Sequence, residues 1–192
     1  MMVTTRCALA LVGSAAALRY LWKMTLTARG FAGFVLAASV AVLGAALLSQ
    51  YWGGLAPCEL CLLERWPWDA ALAISLVALV AGSRPAMPWV ALGLGLVFAA
   101  GAAIAFYHVG VEQHWFAGPT ACTAPAAGAM TLAEMKRQIL GTAPVLCDRV
   151  QWALFGVSLA GWNFLASLAM VAISFAVFRG TRRSASRAAA TA

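Results

Sequence analysis

Charged residues leave four long gaps in this chain. None occurs between Arg29 and Glu59, where the sequence reads FAGFVLAASVAVLGAALLSQYW, and the next run, WPWDAALAISLVALVAGS, carries only Asp69 near its start. A third gap lies between Arg84 and Glu112, and a fourth between Arg149 and Arg179. Each run is about long enough for a helix to cross a ~30 Å hydrocarbon layer at ~1.5 Å per residue. The second is the shortest, and Trp66 and Trp68 are placed to anchor its end at the interface. The pattern predicts an all-α integral membrane protein: a bundle of four transmembrane helices with two outer loops.

The second outer loop has a pattern of its own. In MTLAEMKRQILG, Met130, Met135, Ile139 and Leu140 recur near helical spacing, with Lys136, Arg137 and Gln138 between them. Thr131 and Glu134 form a capping box with Thr131 as N-cap, so a short amphipathic interfacial helix is expected on the outer membrane surface. Small residues in the spans (Gly93, Gly95 and Gly101 in the third, Gly156, Ser158, Ala160 and Gly161 in the fourth) let helices approach closely.

Composition agrees with the pattern and charge orients it. The 192 residues are 64% hydrophobic and 10% charged, too apolar for a soluble domain of this length. The formal net charge of +7 is unevenly placed. Arg6, Arg19, Lys23, Arg29, Arg84, Arg179, Arg182, Arg183 and Arg187 share one face with no acid. Four basic and six acidic residues share the other. By the positive-inside rule both termini are cytoplasmic. Residues 1–28 read as a cytoplasmic N-terminal extension or as residues upstream of a start at Met24, residues 29–178 as the membrane domain, and residues 179–192 as a basic cytoplasmic tail. Nucleic-acid binding has no support beyond the basic pI.

The orientation places the cysteines. Cys58 and Cys61 fall in the first outer loop, Cys122 and Cys147 in the second, and Cys7 on the cytoplasmic side. The outer side of a bacterial membrane permits disulfides, so the two outer pairs read as redox pairs or staples. A C-x-x-C ring removes little loop entropy and is more useful as a reactant. Cys122 and Cys147, with 24 residues between them, would make a staple worth roughly 3 kcal/mol. Metal binding is the competing reading, but the second pair has no C-x-x-C of its own, so no resident metal is expected.

The neighbours of the first pair favour reactivity. Cys61 and Arg65 are four apart, so in a continuous helix they share a face, and a guanidinium there stabilises thiolate over thiol. Pro67 opposes that continuity: the helix either kinks there or starts afresh with Pro67 in its first turn.

PCELCLLERWPW, followed by AFYHVGVEQHWFAGPTAC and CDRVQWALFGVSLAGWN, resembles the bacterial disulfide-bond-formation protein B (DsbB) family over roughly residues 25 to 178. The resemblance implies a thiol oxidase of the bacterial inner membrane, with its redox loops in the periplasm. Such a protein reoxidises a DsbA-like periplasmic dithiol oxidase and passes the electrons to a membrane quinone, ubiquinone or menaquinone. It further implies that Cys122 is attacked by the reduced partner, that Cys58 then exchanges with the released Cys147, and that Cys61 is left as a thiolate facing the quinone. Arg65 matches the family arginine that contacts the quinone, His108 a histidine near the same site, and Trp152 a family tryptophan that lines it or anchors the helix. Glu64 also matches, and reads as a solvated acid at headgroup level. The long N-terminal extension and Cys7 depart from the family pattern.

Two alternatives stand beside this reading. A vitamin K epoxide reductase-like protein is also a four-helix bundle with a C-x-x-C, but its active pair sits on a late helix, whereas this one precedes the second span. A non-enzymatic metal-binding or scaffold protein would use both cysteine pairs structurally.

Overall fold

The computed structural model describes residues 28–81, 84–119, 131–133, 136 and 145–190. Cys7, Cys122 and most of the expected amphipathic helix lie outside the described residues. Leu132, Ala133 and Lys136 are helical, with Thr131 immediately before them.

The described chain is almost wholly helical. Helix α1 spans Ala28–Tyr51, the short α2 Glu59–Leu63, α3 Arg65–Ala81, α4 Met87–Glu112 and α5 Leu159–Ala190. A 3-10 turn at Arg84–Ala86 leads into α4, and β1 (Ala153–Leu154) pairs antiparallel with β2 (Val157–Ser158) just before α5. Helix α4 packs most extensively against α5, α1 packs against α3, and α3 also meets α4.

Among the described residues three helices are long and apolar enough to cross a membrane: Arg29–Tyr51, Met87–Glu112 and Leu159–Arg187. Helix α3 is shorter at 17 residues, or about 25 Å at ~1.5 Å per residue. The burial pattern is that of a bundle in an apolar solvent. Ser39, Ser75, Ser167 and Ser174 are fully buried while Val77 and Val80 are exposed. Small hydroxyl side chains allow close contact inside, and lipid rather than water accommodates the apolar exterior. The inner cluster centres on Phe31, Trp68, Leu94, Phe98 and Met170.

Two departures from the sequence reading have clear causes. The fourth charge-free run is not helical from its start: Phe155 (φ 52°) and Gly156 (φ 78°) make the turn of the β1–β2 hairpin, and α5 begins only at Leu159. Lack of charge permits a span but does not enforce helix. Helix α5 also continues past Arg179 to Ala190. Arg179 lies over the Phe175 ring and Arg182 over Phe178, one turn earlier in each case, which supports the helix through the basic segment.

Candidate redox site at one end of the bundle

The segment between α1 and α3 is short and tightly turned. At the end of α1 the Trp52 and Gly53 amides both donate to the Leu48 carbonyl. A Cβ on Gly53 would lie 2.5 Å from the Ser49 carbonyl oxygen, and Gly54 takes φ +67°, so two glycines make this reversal. Cys58 then caps α2: its Sγ accepts from the Cys61 amide at 3.3 Å. The chain breaks at Glu64 and α3 starts at Arg65. Pro67 is thus the third residue of α3, within the first turn whose N–H groups have no acceptor inside that helix. The second of the two outcomes expected around Pro67 is the one observed.

Arg65 opens α3 and reaches back to α1. The guanidinium donates to Gln50 Oε1 at 3.0 Å, tying the start of α3 to the end of α1. Glu64 departs from expectation. It is 7% exposed rather than solvated, and it holds the centre of a network.

The network runs through four parts of the chain. Trp68 Nε1 donates to Asn163 Oδ1 at 2.7 Å, and Asn163 Nδ2 donates to Glu64 Oε2 at 2.6 Å. Indole nitrogen is only a donor, which fixes the orientation of the Asn163 amide. Glu64 Oε1 lies 2.6 Å from His108 Nδ1. A carboxylate can only accept, so His108 carries a proton on Nδ1 and turns Nε2 toward Cys58 Sγ at 3.6 Å. The Cys58 and Cys61 sulfurs are 2.9 Å apart, with Cys58 donating. His108 is 3% exposed and Cys58 is 3% exposed, whereas Cys61 is half-buried.

The two thiols are driven apart electrostatically. The hydrogen bond to Cys61, followed by burial, pushes Cys58 up to about 12, while the same hydrogen bond lowers Cys61 below the ordinary thiol range. Cys61 is therefore the more acidic thiol of the pair and Cys58 the one that donates to it. The expected result of alkylation against pH is that Cys61 becomes reactive at a lower pH than Cys58. Mass spectrometry of iodoacetamide adducts checks this, and equal titration of both thiols would contradict it.

Cys147 joins the same end. It is buried in one apolar cluster with Cys58, Leu60 and Val111, against which Cys61, Tyr107 and Val145 pack. Trp152 lies exposed ahead of β1 and is not among those residues. Ser158 Oγ donates to Glu112 Oε2 and accepts from the Gly161 amide, tying the hairpin to the end of α4. Asn163, Trp68 and the Glu112–Ser158 pair were not singled out from sequence as site residues. The available signal for Asn163 was an amide inside a span, a position that is costly unless it has a partner.

Comparison with known proteins adds an independent line. The family model described as "Disulfide bond formation protein DsbB" matches residues 28–177. The disulfide bond formation protein B of Marinobacter nauticus is 31% identical over 147 residues, covering 72% of this chain and 84% of the relative. That of Aromatoleum aromaticum is 32% identical over 154 residues, covering 74% and 86%. The homonymous protein of Verminephrobacter eiseniae is 27% identical over 178 residues, covering 85% and 94%. No solved structure gives a significant match. The shared region runs from the start of α1 into α5 and contains the whole Cys58 network, and the chain belongs to the DsbB family of bacterial inner-membrane disulfide oxidoreductases.

Proposed function

We propose that the protein reoxidises a periplasmic DsbA-like dithiol oxidase and delivers the electrons to ubiquinone or menaquinone. The observation that carries this reading is the asymmetric Cys58–Cys61 pair, one thiol buried on His108 and the other half-buried beside exposed Leu62, Leu63 and Trp66. That surface fits a lipid-soluble, planar headgroup. A bound quinone supplies an acceptor for two electrons and two protons.

The residues divide the task. The partner's dithiol gives its electrons to the Cys122–Cys147 disulfide, and the resulting thiols reduce the Cys58–Cys61 disulfide. The reduced Cys58–Cys61 pair would then give two electrons to the quinone, which takes up two protons, that of Cys58 and a second from the pair or from water. The burial of Cys147 beside Cys58 supports exchange between these two cysteines. His108, held by Glu64, is placed to take the proton of Cys58 on Nε2 and return it as the pair is reduced and oxidised. The C-x-x-C precedes the second apolar segment rather than lying on a late helix, which favours this reading over a vitamin K epoxide reductase-like one. The test is steady-state oxidation of a reduced DsbA-like protein with and without added quinone. Turnover should need both, and no oxidation in the presence of quinone would remove the proposal.

Helix α3 acts as the fourth span in this reading, with Trp66 at the headgroups and the redox loops outside. Both termini are then cytoplasmic. After reduction of intact cells, a membrane-impermeant thiol reagent should label Cys122 and spare Cys7. The opposite pattern would invert the orientation.

Arg65 reaches a quinone oxygen only by sharing or leaving Gln50. Its contribution is one charge-assisted hydrogen bond, worth about 1.5 kcal/mol, so Arg65→Ala should raise the quinone KM roughly tenfold with Arg65→Lys recovering part of it. A quinone titration with saturating partner reads this directly. An unchanged KM would leave the arginine as the α1–α3 tie alone.

A further inference from the structure

The Cys58, Cys61 and His108 ligand atoms all lie within 4.8 Å of one another, a spacing that suits one metal ion. We propose that the reduced form binds one thiophilic divalent cation, zinc, through Cys58 Sγ, Cys61 Sγ and His108 Nε2. The ion is a reversible inhibitor of the reduced state rather than a resident cofactor.

Three features of the geometry point to zinc. The donor set of two thiolates and one imidazole is the Cys2His set that zinc takes with a fourth position left open. Bonds of ~2.3 Å to sulfur and ~2.0 Å to nitrogen in a tetrahedron put S and N about 3.5 Å apart and the two sulfurs about 3.8 Å apart. The Cys58 sulfur already lies 3.6 Å from Nε2. The sulfurs, at 2.9 Å, have to separate by roughly 1 Å, and Cys61 is the half-buried one with room to swing.

The strongest feature is the support behind His108. A zinc-binding imidazole usually donates its other N–H to a carboxylate, which fixes the ring and strengthens the ligand. Glu64 stands in that position at 2.6 Å from Nδ1, and it is itself held by Asn163, which is held by Trp68. The two sulfurs alone leave half of a tetrahedral site unfilled. Here the third ligand is buried, oriented and backed by two further residues.

Binding exchanges the proton of the Cys58 thiol for the metal and leaves both sulfurs at the same oxidation level. An occupied pair cannot form its disulfide, so zinc halts reoxidation of the reduced enzyme. That consequence rests on the function proposed above, whereas the binding does not.

The experiment uses the full-length chain with Cys7→Ser, Cys122→Ala and Cys147→Ala, purified in detergent and reduced without oxygen. Zinc affinity is measured by competition with a chromophoric chelator. One equivalent per reduced chain is expected, with none after the pair is oxidised. His108→Ala should weaken binding at least tenfold, and Glu64→Gln roughly 10- to 100-fold through the ring it orients. Should a variant fold poorly, cobalt on the parent protein reads the same ligands: thiolate-to-metal charge transfer and tetrahedral d–d absorption at one equivalent are expected. Equal zinc affinity in oxidised and reduced protein, equal affinity in folded His108→Ala, or six-coordinate cobalt without charge transfer would each overturn the site. Zinc binding without any effect on quinone-linked turnover would uphold the site and count against the functional reading alone.

Discussion

A Cys122→Ala protein should lose oxidation of its dithiol partner by at least about a hundredfold, the scale of losing a covalent reaction centre, while its Cys58–Cys61 pair is still oxidised by quinone at the parental rate. The reason is access. Cys58 is 3% exposed and shares its apolar cluster with Cys147, so a folded soluble protein cannot bring a thiolate in line with it. In the proposed relay the Cys122–Cys147 disulfide meets that partner and passes its electrons inward. The check has two arms: partner oxidation with quinone present, and single-turnover oxidation of the inner pair followed by thiol count. Partner oxidation at the parental rate in Cys122→Ala would mean that the partner reaches Cys58 or Cys61 directly.

Glu64→Ala is expected to destabilise the protein by about 3 kcal/mol, a factor of roughly 150 in the folded-to-unfolded ratio. Two donors lose their acceptor at once, His108 Nδ1 and Asn163 Nδ2, both in a site that water hardly enters. Each unsatisfied donor costs on the order of 1 to 3 kcal/mol. Glu64→Gln should cost less, since one amide oxygen can still accept from either neighbour. Unfolding of the variants in the same detergent measures this. A loss below about 1 kcal/mol for Glu64→Ala would show that water replaces the carboxylate, and the network would then not hold His108 in place.

The legible part of the fold was its apolar content. The first and third charge gaps became α1 and α4 with bounds within a few residues, because a long uncharged run in lipid has helix as its economical way to satisfy the backbone. The start of α5 was not legible. Gln151 to Ser158 carry no charge, yet a hairpin turned by Phe155 and Gly156 places Ser158 on Glu112, a pairing that depends on tertiary position.

In the site, the spacing of Cys58 and Cys61 named the reactive pair, and the family resemblance brought His108 to it. Sequence distance misjudged Glu64. Arg65 donates to Gln50, and Glu64 is buried on His108 and Asn163, two partners that the local spacing does not announce. Burial of an acid is decided by what faces it. Here that is His108, 44 residues later, and Asn163, 99 residues later, and neither separation is encoded in a local pattern.

In the proposed cycle Cys58 and Cys61 alone give electrons to quinone. Its most direct measurement takes the protein with Cys7→Ser, Cys122→Ala and Cys147→Ala, reduced and freed of reductant, mixed without oxygen with one equivalent of short-chain ubiquinone. Loss of both remaining thiols and reduction of one quinone per chain, followed by its absorbance, are expected. If the quinone stays oxidised and both thiols remain on the timescale on which the parental protein turns over, the pair is not the quinone-facing centre.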